Sequence, residues 1–156
     1  MNPESMIRNA GHDEIGRDHQ ALVALLERVK RVCGCAAASA PDSCRGCPAE
    51  RHALCRSSLQ DLTHGLMVFM LDHFRHEDEL MMMLPDMPDA KVHCARHRRE
   101  HVGFSTRYND IVAKSDAGNV VSCMRKMELF IIEWIRRHAL EYDAVIVSLL
   151  DVGKSA

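Results

Sequence analysis

The sequence predicts an all-α protein, folded as an up-and-down four-helix bundle, from three features read together. Aromatic residues are only 4% of the chain, Gly (8) and Pro (5) are sparse, and long stretches repeat apolar residues every three or four positions, the helical period. No composition shift or linker divides the 156 residues, so 1–156 read as a single domain long enough for one core.

The first helix is expected from about His12 to Val32, with Ile15, His19, Leu22, Leu26 and Val29 on one stripe. Residues 32–56 form a cysteine-rich connection. The second and longest helix is expected from roughly Ala49 to Leu84, carrying Leu62, Leu66, Phe69, His73, Glu77, Leu80 and Leu84 inward until Pro85 and Pro88 end it. A third starts near Asp89 as N-cap, places Cys94, His97, His101, Phe104, Tyr108 and Ile111 on one face, and stops before Gly118. The fourth, opened by Asn119, runs to about Asp151 with Val120, Met124, Met127, Ile131, Trp134, His138, Val145 and Leu149 pointing roughly one way.

Polar residues interrupt all four apolar stripes. His73 and Glu77, and likewise His97 and His101, stand four apart and so point the same way from successive turns. With His19 and His138 they put five imidazoles and a carboxylate on core faces, where such groups are costly unless a partner compensates them. Asp143 fits less neatly, because five residues at ~100° each set it about 140° from His138; local distortion or a seam position is needed to bring it to the same place. Imidazoles with carboxylates suit iron, copper or zinc rather than magnesium or calcium. Seven ligands exceed one tetrahedral zinc, whereas two metals bridged by Glu77 and Asp143 use them all. A single His-x3-His is more often a surface pair, but ligands on every helix make a joint pattern that independent buried histidines do not explain.

Composition narrows the function further. The formal charge is −2 with basic and acidic residues interleaved, so no nucleic-acid footprint is present. Arg96, Arg98, Arg99 and Arg107 read as a solvated helix face. The opening MNPESMIRNAGHDE has no signal-like apolar stretch, and no run approaches the ~18 apolar residues of a membrane span, which points to a cytoplasmic protein without membrane contact.

The ordered motifs IGRDHQAL, HFRHEDELMM, HRREHVGF and WIRRHALEYD cover nearly the whole chain and resemble those of the bacterial hemerythrins. The resemblance implies a non-haem di-iron centre, with His97, His101 and His138 on one iron, His19 and His73 on the other, and Glu77 and Asp143 bridging beside an oxo or hydroxo group. The second iron then has one open position, where the family binds O2 reversibly. The family pattern also has Asp five residues after the last His, which demotes Glu141 and Tyr142 as ligands. His93, His76, His12, His52 and His64 read as solvated or ordinarily hydrogen-bonded.

The connection VCGCAAASAPDSCRGCPAERHALC departs from that family, which has only a short link there. It holds Cys33, Cys35, Cys44, Cys47 and Cys55. Cys44-x2-Cys47 lacks the following His of a haem-attachment motif and does not match ferredoxin spacing. A zinc site through four thiolates and a reversible disulfide switch stand as equal readings. Cys94 and Cys123 read as core residues. Three functions follow: O2 binding for sensing, storage or delivery; an enzyme reducing peroxide or nitric oxide, or repairing damaged iron centres; and a redox-signalling module addressing a partner protein through the cysteine loop. A repair enzyme would favour His-x3-Glu on the last helix, where Tyr142 stands instead.

Overall fold

A computed structural model describes residues 13–32, 46–115 and 119–154. Its helices are α1 (Asp13–Val32), α2 (Ala49–Met82), α3 (Pro88–Ala113), α4 (Val120–His138) and α5 (Ala144–Lys154), and a π-helical turn, Ala139–Asp143, joins the last two into one continuous rod. The bundle thus has four rods. Cross-contacts give their directions: Tyr108 donates to the Thr63 carbonyl while Arg98 pairs with Asp78, so α3 runs opposite to α2. Arg137 pairs with Glu100 and Arg107 with Glu133, so α4 runs opposite to α3. Asp18 meets His73 and His76 while Leu25 lies against Gly65, so α1 also opposes α2, and the topology is up-and-down. At Gly65 a Cβ would stand 2.9 Å from the Leu25 side chain, which shows how closely α1 and α2 approach.

The helix ends follow local chemistry, with one correction. Asn119 caps α4 by accepting from the Ser122 N–H at 3.3 Å. Asp89, expected as the N-cap of α3, lies instead in its first turn, because Pro88 takes the first helical position with its missing N–H and preset φ, and Met87 becomes the cap. There the Asp89 carboxylate still favours the helix dipole.

The core is built in layers. On one side lies a large apolar cluster that includes Leu22, Leu26, Leu62, Leu66, Phe104, Met127, Ile131 and Trp134; on the other lies a small one of Ile15, Leu80, Met81 and Ile146. Each rod passes from one cluster to the other, and the polar stripe residues occupy the stretch between. Ile15, His19 and Leu22 on α1 follow this order, as do Leu80, Glu77, His73 and Phe69 on α2. Two apolar layers therefore seal a polar belt from water.

Beyond His138 the apolar register differs from the helical expectation. Ile146 is fully buried and Leu150 packs on the small cluster, whereas Val145 and Leu149 are only half-buried. The π turn supplies the reason: its hydrogen bonds span one residue more than α bonds, so every later residue slips by one position around the rod.

Candidate metal centre

The π turn also resolves Asp143. With one extra residue accommodated in the turn, the fifth residue after His138 returns to the core face, and Asp143 is fully buried. It stands opposite α1, with Oδ2 3.0 Å from His19 Nε2 and Oδ1 3.1 Å from His138 Nε2. Glu77, on α2, divides in the same way: Oε2 faces His101 Nε2 at 2.7 Å and His97 Nε2 at 3.3 Å, while Oε1 faces His138 Nε2 at 3.2 Å and His73 Nε2 at 3.3 Å. All seven sequence-derived ligand residues meet here, on four rods, and six of them have no solvent exposure, His101 retaining 7%.

Two overlapping groups of potential ligand atoms result. Glu77, His97, His101 and His138 form one; His73, Glu77, His138 and Asp143 form the other, with His19 against Asp143. The donor set fits a cation on a specific structural observation. His19 Nε2, His73 Nε2, His101 Nε2, Glu77 Oε2 and both Asp143 oxygens are buried without a hydrogen bond, although opposing atoms lie close. Buried polar groups are rarely left in this state, and lone pairs converging from several directions on one small volume are the arrangement a metal requires.

Electrostatics agrees. Burial pushes His73 down to about 4; burial followed by the neighbouring imidazoles takes His97 to about 3 and His101 to about 2. These rings are therefore held neutral, the form that ligates metal. Burial, then the Asp143 charge, raises Glu77 well above the ordinary carboxylate range. For Asp143, burial works in the same direction but is outweighed by His138, Glu77 and His19, which hold it well below that range. Without a cation, the two carboxylates cannot both carry charge cheaply.

Residues 10–150 match the family model described as the Hemerythrin HHE cation binding domain. The chain belongs to this family. No curated protein and no solved structure gives a match. The hemerythrin-family match and the buried cluster together mark the belt as a cation site.

Several neighbours escaped the sequence reading. Trp134 stacks on His138 with ring centroids 4.1 Å apart, Phe74 on His101 at 3.8 Å and Phe69 on His73 at 4.8 Å. Three of the few aromatic residues thus pack face to face on imidazoles of the belt, restraining their orientation. Phe69 and Trp134 lie on core stripes four residues before His73 and His138, a helical spacing that puts each beside the ring it stacks on, whereas nothing local links Phe74 to His101. Asp18 was missed altogether: its Oδ2 accepts from His76 Nδ1 at 2.8 Å and from His73 Nδ1 at 3.3 Å. Burial tends to raise Asp18, but these two imidazoles outweigh it and keep the carboxylate low.

The remaining histidines divide. His76 is hydrogen-bonded to Asp18, as an ordinary partner would be. His93 is buried and not solvated: it lies beside His97 and Tyr142 where the π turn packs against the first turns of α3, with a hydrogen bond to the Tyr142 backbone and an Nε2 that has no partner. Cys33, Cys35 and Cys44, with His12, lie outside the described residues. Cys47 is half-buried and Cys55 buried, and Cys123 is a core residue while Cys94 is half-buried. Among the described residues, no helix is long and apolar enough to cross a membrane.

Proposed function

We propose that the protein holds two iron ions in the polar belt and binds O2 reversibly, for oxygen sensing, storage or delivery. The carrying observation is the way both carboxylates split their oxygens. Asp143 turns Oδ2 to His19 and Oδ1 to His138, while Glu77 turns Oε2 to His97 and His101 and Oε1 to both His73 and His138. Each carboxylate therefore serves two sets of imidazoles, as a bridge does.

On this reading His97, His101 and His138 hold one iron, His19 and His73 the other, and Glu77 and Asp143 join them. The two sets are unequal, three imidazoles against two, so an iron held by His19 and His73 would have fewer protein ligands and would be the one to take a small ligand. Iron, when bound, supplies reversible electron exchange with O2, which no side chain here offers. The chain's own residues do the rest. They keep His73, His97 and His101 neutral, hold two carboxylates among the imidazoles, and exclude water with apolar layers above and below. Exclusion of water and protons favours release of O2 over its irreversible reduction.

The test is anaerobic loading with iron(II), metal analysis, and an optical spectrum before O2, after O2 and after evacuation. Two irons per chain and an O2-dependent absorption band that disappears under vacuum are expected. Fewer than two irons, or no spectral change with O2, would overturn the reading. Rapid autoxidation with sustained turnover of peroxide or nitric oxide would replace it with an enzyme.

A further inference from the structure

Asp18 adjoins His19 in sequence but performs no ligand role: one helical residue is a rotation of ~100°, so while His19 faces the belt, Asp18 faces α2. There it meets two imidazoles from successive turns, His73 and His76, which stand three apart and present Nδ1 to the same side. The two are otherwise unlike. His73 is fully buried with Nε2 turned to Glu77, whereas His76 is partly exposed, and Asp18 keeps 17% of its surface in solvent. One carboxylate oxygen thus joins the edge of the polar belt to the protein surface.

We propose that Asp18 is the positioning residue for the His19/His73 half of the centre: by accepting the Nδ1–H of His73 it fixes that ring's tautomer and aims the bare Nε2 into the belt. His76 acts as an outer clamp, donating its own Nδ1–H to the same oxygen and holding the carboxylate in place. The physical need is specific. A neutral imidazole has one N–H, and if it moved to Nε2 the nitrogen facing Glu77 would donate a proton instead of presenting a lone pair. A carboxylate on the far nitrogen prevents this and makes the near one a stronger donor to metal. The alternative stabiliser on His73, the stacked Phe69 ring, restrains its tilt but is indifferent to where the proton sits.

The asymmetry also assigns Asp18 to one half only. Among the described residues, His19 Nδ1, His97 Nδ1 and His138 Nδ1 are buried without a hydrogen bond, so none of these rings has an equivalent carboxylate behind it, and Asp18 acts on its half through His73 alone. Loss of Asp18 should therefore weaken one metal and spare the other.

This assignment rests on His73 being a ligand, as proposed above, and the experiment separates the two ideas. Full-length protein labelled with 15N-histidine is stripped by chelator, its histidine tautomers are read by NMR, and it is then titrated with cobalt(II), whose absorption counts occupied sites. In the unsubstituted protein His73 is expected as the Nδ1–H tautomer and two cobalt ions bind. In Asp18→Ala, His73 shifts toward Nε2–H and one cobalt binds about 10- to 100-fold more weakly while the other is unchanged. Asp18→Asn, which keeps a neutral acceptor, restores the tautomer and part of the affinity. His76→Gln, altered only at the outer clamp, moves both readouts in the same direction by less, and it carries the test if Asp18→Ala does not fold. An unchanged His73 tautomer with unchanged cobalt affinities in Asp18→Ala and His76→Gln would overturn the proposal, as would equal weakening of both cobalt ions. If the unsubstituted protein binds fewer than two cobalt ions, the two-metal reading fails, and the His73 tautomer still decides the role of Asp18.

Discussion

At the scale of single residues, burial holds three imidazoles of the centre neutral well below the pH at which they would take up protons in water. His73, His97 and His101 take up protons only near pH 4, 3 and 2 in the folded chain, against an ordinary value of 6.5. Between these values the unfolded chain binds more protons than the folded one, so folding stability rises with pH across that window. The metal-free protein is therefore expected to weaken as the pH falls from 6.5 toward 4, the three imidazoles outweighing the one raised carboxyl, Glu77, whose own contribution runs the other way. Thermal midpoints of chelator-treated protein at about pH 7.5 and about pH 5.5 check this, and equal midpoints would contradict the neutral-imidazole account. Metal loading should flatten the profile down to the pH at which metal is lost, because ligated imidazoles are no longer free to take protons.

At the scale of elements, the decisive feature is the π turn Ala139–Asp143. It places Asp143 on the belt and, further along, moves Ile146 into the position that unbroken α geometry would give Val145. An unusual prediction follows from its being a one-residue excess. Deleting Leu140, half exposed in the turn, leaves four residues from His138 to the carboxylate, and four residues return to nearly the same face of an ordinary α-helix. The shortened protein is expected to keep its metal content and helical ellipticity. Deleting Leu129, which is more exposed still but lies within α4, rotates the preceding half of the rod relative to His138 by ~100° and should abolish cooperative folding. Metal analysis and circular dichroism of both deletions test the idea. Loss of metal from the Leu140 deletion with helicity intact would mean that the π geometry itself, and not merely its register, positions Asp143.

At the scale of the molecule, four rods and two apolar layers surround a belt in which several buried polar atoms have no hydrogen bond. Folding has to bear that cost in the absence of metal, so binding and stability are linked. At free metal 100-fold above its dissociation constant, one site contributes about 2.7 kcal/mol. A change of ~1 kcal/mol moves the midpoint of a chain this size by about 2–4 °C, so chelation should lower it by roughly 5–10 °C for each metal removed. Calorimetry with and without chelator measures the shift; coincident transitions would indicate that the belt is stable empty.

Much of this was legible beforehand because helical periodicity is a local property. The spacing His73-x3-Glu77 and His97-x3-His101 already commits those pairs to common faces, and the apolar residues around them commit the faces to the core. The chain alone therefore determined the all-α class, the helix that Asn119 opens, and the residues that must be buried together. It did not determine how Asp143 reaches them, because the choice between an α and a π turn depends on which register packs Ile146 against Ile15 and Leu80. Nor did it determine Asp18 or the stack of Phe74 on His101. The Asp18 contacts join residues 55 and 58 positions apart, and only the antiparallel pairing of α1 with α2 brings them within a hydrogen bond, as the packing of α2 on α3 does for Phe74 and His101.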